Sequence, residues 1–261
     1  MFGFPKTTRT TELKKNFLKS ATFQIKYPLN HQIIDNEGLL REKLDKRFPN
    51  RKEIIMGETR IQFTSKNTPV LESTKSTTGG FEFRTQDNNK ILAITKDALT
   101  YTIFGTAYTN FEYTAAEIKE VLIPLLSELK IFSFNRIAIR KINILEIDVS
   151  SPIPSPQILS MIFNEPLIEN FLFLPNANFI DSGISNVTLS KDIYRLNLKY
   201  GILPQRDNKT LRQVVLDIDL FSLQNELQTN KVIEEFQAIN DEIFNIFVWA
   251  IKDEIRSILK R

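Results

Sequence analysis

The stretch FNRIAIRKINILEI, residues 134–147, decides how the fold is interpreted. Ile137 and Ile139 alternate with polar neighbours, as in a strand with one buried face. The alternation then changes phase, because the next apolar series begins at Ile142. A β-bulge near Arg140-Lys141 would insert one residue and produce this change, and a strand covered on both faces is the alternative. The pattern predicts a long strand that joins two parts of one architecture.

The elements before and after this strand follow the same order. Each half contains a strand, a helix, several antiparallel strands and a second helix, with the halves spanning residues 1–131 and 132–261. This order predicts an α+β fold in which helices back an antiparallel sheet. The arrangement is similar to TATA-binding-protein-like or helix-grip folds. The halves share element order but no residue-level similarity, so a duplication is inferred from order alone.

Two helices carry boundary signals. In YTAAEIKEVLIPLLSELK, Thr114 and Glu117 fit a capping box at the start, and Pro124 is predicted to kink the helix because it cannot bond to the carbonyl of Glu120. The last thirty residues predict one long helix, from about Asn230 to Leu259.

The composition is that of a globular protein with little bias in charge. Basic residues number 34 and acidic residues 31, and there is no cysteine, which excludes disulfides, zinc thiolates and iron–sulfur clusters. The first fifteen residues lack the apolar stretch of a signal peptide, and no run is long enough to span a bilayer. These features predict a cytoplasmic protein that does not contact membranes.

Motifs for catalysis are missing from the sequence. His31 is the single histidine, lies after Pro28 and has no serine nucleophile motif beside it, so it is interpreted as a surface loop residue. There is no phosphate-binding glycine loop or dinucleotide fingerprint. We expect a protein without a cofactor and without enzymatic activity.

Asp217 and Asp219 in VVLDIDLF are the best candidates for a metal site. On a strand the two carboxylates share one face, where they could hold Mg²⁺. The alternative is a hairpin, closed by a loop near Leu203–Lys209, in which Arg195 sits opposite Asp217 and pairs with it. Cross-strand pairing is the preferred interpretation, and no metal site is predicted.

Arginine and lysine side chains are predicted to collect on one sheet face. Arg136, Arg140, Arg195 and Lys199 occupy outward positions of their strands, so the face could bind phosphates, nucleotides or nucleic acid. Five further charged residues are predicted to share the face: Arg60, Arg84, Glu82, Asp217 and Asp219. A solvated face stabilised by salt bridges is the competing interpretation.

Trp249 is predicted to be partly exposed or to form an interface. In IFNIFVWAI, residues 243–251, apolar side chains surround the helix, and a single sheet cannot bury all of them. We expect other parts of the chain to cover Phe244 and Val248, and a symmetric homodimer to be the simplest interface through Trp249.

Three segments together resemble a sporadically distributed family of uncharacterised bacterial proteins of about this length. They are LKKNFLKSATFQIKY, then YTNFEYTAAEIKEVLIPLL with FNRIAIRKINIL, and VVLDIDLF with the terminal helix. In the family pattern of the middle segment a glycine and a tyrosine stand where this chain has Ala138 and Lys141. The family has no agreed activity, so the resemblance transfers no catalytic residue. Its sporadic occurrence suits an accessory protein of a mobile element or of phage defence.

The sequence therefore predicts a non-enzymatic binding or protein-interaction protein. A nucleic-acid- or nucleotide-binding protein that uses the arginine-bearing sheet face is the alternative, and a metal-dependent phosphoryl-transfer enzyme at Asp217 and Asp219 ranks below both.

Overall fold

The computed structural model describes residues 1–6, 13, 15–63, 69–149, 153–172, 180–204 and 211–260. Within these ranges nine strands form one sheet: β1 (Leu18–Lys26), β2 (Asn50–Phe63), β3 (Pro69–Arg84), β4 (Lys90–Thr95), β5 (Ala98–Phe104), β6 (Ser133–Asp148), β7 (Gly183–Lys191), β8 (Tyr194–Ile202) and β9 (Leu211–Gln228). The α-helices are α1 (Gln32–Asp35), α2 (Glu37–Leu44), α3 (Phe111–Glu117), α4 (Ile123–Glu128), α5 (Ser155–Ile162), α6 (Glu165–Leu172), α7 (Val232–Ala250) and α8 (Asp253–Lys260).

The strand order across the sheet is β2-β3-β4-β5-β1-β6-β9-β8-β7, and neighbouring strands run antiparallel throughout the described residues. Strand β1 lies beside β5, and β6 lies beside β9. Pairing of β1 with β6 makes the sheet continuous. The predicted α+β class with an antiparallel sheet is confirmed, whereas descent of the halves from a duplication remains a prediction.

Helices cover one face of this sheet, which we call the inner face. Phe23 of β1 packs against Phe236 of α7 and Phe111 of α3, with ring centroids 5.6 and 6.3 Å apart. Farther along the same face, Tyr101 of β5 meets Phe48, which follows α2. All of these rings are almost completely buried, which places the aromatic-rich core between the sheet and the helices. The opposite, outer face carries alternate residues of the same strands.

Strand β6 contains no bulge at Arg140-Lys141, so that prediction is wrong. Its pairing with β9 is continuous from Arg136 opposite Leu223 to Asp148 opposite Leu211. The irregularity lies on the neighbouring strand, where the register shifts between Leu18 and Ser20 of β1. Because β6 keeps its alternation, the residues that follow Ile139 on the inner face are polar ones, Lys141 and then Asn143. The change of phase in the sequence marks a polar part of the inner face.

The helix that begins at Phe111 starts earlier than its predicted capping box. Asn110 is the N-cap, and its side-chain oxygen accepts a hydrogen bond from the amide of Tyr113 at 2.8 Å. Thr114 instead donates its hydroxyl to the carbonyl of Asn110. At the predicted kink, the five residues Ile118–Leu122 form a π-helix directly before α4, in which Pro124 is the second residue. A π-turn rearranges the backbone bonds where proline provides no N–H donor.

The C-terminal helical region is two helices, so the prediction of one continuous helix is wrong. The chain becomes extended at Ile251, which forms an isolated bridge with Phe163. The side chain of Asn164 satisfies the carbonyls at the break by donating hydrogen bonds to Trp249 and Ile251. This interruption depends on partners about ninety residues away in the chain, which explains why helical periodicity alone predicted an unbroken element.

Candidate functional site

A cavity of about 570 Å³ lies between the inner face of the sheet and helix α7. Its walls come from the start of β1, the middle of β6, the first turn of α3 and one face of α7. Ligand pockets commonly have volumes of about 300–1,000 Å³, so the space suits a small molecule. We call it the α7 cavity.

The α7 cavity has a polar end and an apolar end. On β6, Lys141 and Asn143 are two residues apart and therefore point to the same side. On α7, Asn240 faces Lys141, and Phe244 and Phe247 lie one and two turns farther along the helix. The spacing from Asn240 to Phe247 corresponds to about 10 Å of helix.

Lys141 is the central charged group of the polar end. Its Nζ donates a hydrogen bond to Oδ1 of Asn240 at 2.7 Å and lies 5.0 Å from the ring centroid of Tyr108. Among the described residues no carboxylate comes within 4 Å of this ammonium group. Burial lowers the pKa of Lys141 to about 8, although Asp241 and Glu112 act in the opposite direction through their charge. The cavity thus contains a cation whose direct partners are a neutral amide and an aromatic ring.

Two amides hold the polar end in place. Asn143 is buried and donates through Nδ2 to the carbonyl of Leu216 at 3.2 Å, which ties β6 to β9. Asn240 is buried too, and its Nδ2 has no hydrogen-bond partner among the described residues. The accepting oxygen of Asn240 is used by Lys141, so its N–H groups remain available to an acceptor in the cavity.

A second cavity, of about 740 Å³, lies at the other end of α3, and we call it the Glu117 cavity. Here Oε2 of Glu117 accepts hydrogen bonds from the hydroxyl of Tyr101 at 2.6 Å and from Nζ of Lys90 at 2.8 Å. Lys90 also lies 5.6 Å from the ring centroid of Tyr113. Burial, followed by the bond to Glu117, raises the pKa of the Tyr101 hydroxyl. Lys90 and Glu117 therefore already have each other as partners within this cavity.

The four cations predicted to form a binding face do lie on the outer face, but two of them are bound to neighbouring side chains. Arg140 makes a two-pronged contact with Asp217, at 2.8 Å from Nε and 2.7 Å from Nη2. Arg136 donates to Oε1 of Gln24, and its guanidinium lies 4.1 Å from the ring centroid of Phe221. Both groups are therefore engaged without a ligand.

Arg195 and Lys199 do not have the neighbours predicted for them. Asp217 lies opposite Lys199, not opposite Arg195, so the predicted register of β8 and β9 is wrong by four residues. Arg195 instead donates to the carbonyls of Asp192 and Tyr194 at the β7–β8 turn. The loop predicted near Leu203–Lys209 falls largely outside the described residues, as do the side chains around Arg60. The error arose because loop length sets the register, and periodicity does not reveal it.

Asp217 and Asp219 point to the outer face as their spacing requires. Asp217 is paired with Arg140, and Asp219 accepts from Nδ2 of Asn197 at 3.2 Å. Within the described residues no group of three or more histidine, aspartate or glutamate side chains is arranged to hold a metal ion. His31 is exposed and precedes the short helix α1.

Trp249 is half-buried on the side of α7 that faces the N-terminal residues. The ring of Phe4 packs edge-on against it with centroids 5.0 Å apart. Two turns of helix away, buried Glu242 accepts hydrogen bonds from the amides of Phe2 and Gly3, at 2.7 and 3.2 Å. Val248 is buried, and Phe244 lines the α7 cavity. A homodimer through Trp249 remains a prediction.

The sequence matches no protein-family model and no curated protein. Over the described ranges no helix has the length and hydropathy needed to cross a membrane.

Sequence reasoning overlooked Lys141 and Asn143, although the phase change in FNRIAIRKINILEI was their signal. Two polar residues on the buried side of a strand can indicate a lined cavity as well as a bulge.

Proposed function

We propose that this protein is a non-enzymatic binding protein that holds a small molecule in the α7 cavity. The observation that carries the proposal is Lys141, a partly buried cation that faces the α7 cavity without a direct counterion among the described residues. An isolated charge in such surroundings costs free energy, and it is retained where a ligand supplies the missing partner.

The apolar lining supports the same proposal. Phe111, Ile243, Phe244 and Phe247 contribute aromatic and aliphatic surface beside the polar side chains of the cavity. Small-molecule sites combine such apolar surface with polar groups that fix the orientation of the ligand.

The outer face supports the nucleic-acid alternative less well. Phosphate contacts need arginines and lysines that can turn toward the ligand. Arg140 is paired with Asp217, and Arg136 is held by Gln24 and Phe221. Lys199 has no comparable partner within the part of the chain that the structure describes, but a single lysine provides little affinity for a polyanion. Service as an accessory protein of a mobile element or of phage defence is compatible with either ligand and remains a prediction.

A neutral fluorescent probe tests whether the cavity binds ligands. N-phenylnaphthylamine should bind the wild-type protein saturably, at one molecule per chain, with a rise in fluorescence. Gln237→Trp places an indole on the cavity side of α7 and should abolish most of this binding. Gln157→Trp, on exposed α5 surface outside the lining, is the matched control and should bind as the wild type does. Absence of probe binding, or equal binding by the Gln237 variant, contradicts the proposal.

A further inference from the structure

We infer that the natural ligand is an amphipathic monocarboxylate, whose carboxylate binds Lys141 and whose apolar body lies along α7. The inference rests on the proposed function, since it identifies the chemistry of a ligand for the same cavity. Three features of the cavity support it: the order of its lining, the donors at its polar end, and its balance of charge.

The order of the lining matches a molecule with one polar end. Along α7 the side chains that face the cavity change from amides, at Gln237 and Asn240, to apolar groups, at Ile243 and Phe247. From Asn240, which faces Lys141, to Phe247 the helix rises roughly 10 Å. A ligand with a charged head and an apolar body of about that length would meet suitable partners along its whole length.

The donors at the polar end suit two oxygen atoms. Lys141 provides N–H groups beyond the one it gives to Asn240, because an ammonium group has three donors. Asn240 provides the N–H groups of its Nδ2 atom, which have no described partner. A carboxylate placed between these side chains would accept from both, and bonds of this charge-assisted kind are stronger than neutral ones.

The balance of charge favours a single negative charge. The ionisable groups that line the cavity are Lys15, Lys141, Glu112 and Asp241, two of each sign. Asp241 is bound to the amide of Gln237 at 2.7 Å and acts on Lys141 only from a distance. A monoanion would neutralise Lys141. A dianion would leave an unpaired negative charge near Glu112 and Asp241. A protonated amine would be repelled by Lys141, because both groups are positively charged.

Binding of such an anion should also take up protons in mildly alkaline solution. A carboxylate beside Lys141 favours the ammonium form, so it raises a pKa that lies near 8 in the empty cavity. Affinity should therefore be constant below about pH 8 and should fall above it by up to about tenfold for each pH unit.

A series of ligands that differ only in the head group tests the inference. Octanoate, octanol and octylamine would each be titrated against the protein loaded with N-phenylnaphthylamine. We expect octanoate to displace the probe at a concentration at least about tenfold lower than octanol, and octylamine to be the weakest. Lys141→Met should remove the advantage of octanoate while leaving displacement by octanol unchanged. Lys199→Met, on the outer face, is the matched control and should keep the wild-type order.

The outcomes separate the two proposals. Equal displacement by acid and alcohol, or an octanoate advantage that survives in the Lys141→Met variant, would overturn the carboxylate inference while probe binding still supports a ligand cavity. Failure of all three compounds to displace a bound probe would overturn it as well. If the probe itself does not bind, the proposed function fails, and the inference fails with it.

Discussion

Lys90 and Lys141 both lie at cavities under the same sheet, but they differ in what surrounds them. Lys90 forms an ion pair with Glu117, and Glu117 also accepts from Tyr101, so that three polar groups satisfy one another. Lys141 has the amide oxygen of Asn240 and the ring of Tyr108 as its direct partners. The first arrangement fixes α3 against β4 and β5, whereas the second leaves a charge that a ligand could neutralise.

The presence or absence of a counterion distinguishes a lysine that stabilises the fold from one that is suited to bind a ligand. When one partner of a buried ion pair is removed, the remaining charge is left without a counterion and the free energy of unfolding falls. A buried cation without a counterion lowers stability, and proteins keep such groups where function requires them. Substitution at the two positions should therefore change stability in opposite directions.

The largest expected effect is the loss of stability in Lys90→Met. The substitution leaves the carboxylate of Glu117 without its ion pair at a site where the two side chains are only 18% and 14% exposed. The free energy of unfolding, measured by urea titration at pH 7, should fall by about 3 kcal/mol. Lys52→Met, at an exposed position of β2, should change it by no more than about 0.5 kcal/mol. A loss below about 1 kcal/mol would show that the Lys90–Glu117 pair is not a structural element.

The next effect has the opposite sign. Lys141→Met removes a charge that burial disfavours, so the ligand-free variant should be more stable than the wild type at pH 7, by about 2 kcal/mol. The comparison of unfolding curves in urea measures this gain. A destabilised variant would mean that the bond to Asn240 and the contact with Tyr108 outweigh the cost of burial, and the contrast between the two lysines would disappear.

The gain from Lys141→Met should depend on pH in a defined window. In the folded protein the pKa of Lys141 is about 8, below its ordinary value of 10.5. Between these pH values the unfolded chain binds a proton that the folded protein does not, so the wild type becomes more stable as pH rises, by up to about 1.4 kcal/mol per pH unit. The advantage of the variant should be complete below pH 8 and should shrink as pH rises toward 10.5. A difference that is constant from pH 7 to pH 10 contradicts this titration.

The smallest expected effect is the extra loss of stability caused by removing a hydroxyl that bonds to the charged Glu117 and not to a neutral carbonyl. Tyr101→Phe removes a hydroxyl that bonds to a carboxylate and should cost about 1.5 kcal/mol. Tyr27→Phe is its matched control, because the Tyr27 hydroxyl is equally enclosed but bonds to a neutral carbonyl, that of Thr95, and should cost about 1 kcal/mol. Equal losses, measured by thermal and urea unfolding, would indicate that the charge of Glu117 adds nothing to its bond with Tyr101.

Much of the fold could be predicted from local pattern. The meander from β3 to β5, its turn at Asp87–Asn89 and the short helix at Ser155 follow from alternation and from turn and cap residues, which act over a few positions. Element boundaries that depend on distant contacts could not be predicted in this way. The break after Ala250 is an example, because Ile251 pairs with Phe163.

By itself, the sequence determined which side chains share a face, because alternation along a strand is a local property. Arg136 and Arg140 were placed together on β6, and Asp217 and Asp219 together on β9, and the structure has them so. The tertiary structure decided which faces meet and what lies opposite each residue. Asp217 pairs with Arg140 because β9 lies between β6 and β8, and Lys141 faces a cavity because β1, α3 and α7 come together around it. No local period contains that information, since the partners are separated by many tens of residues in the chain.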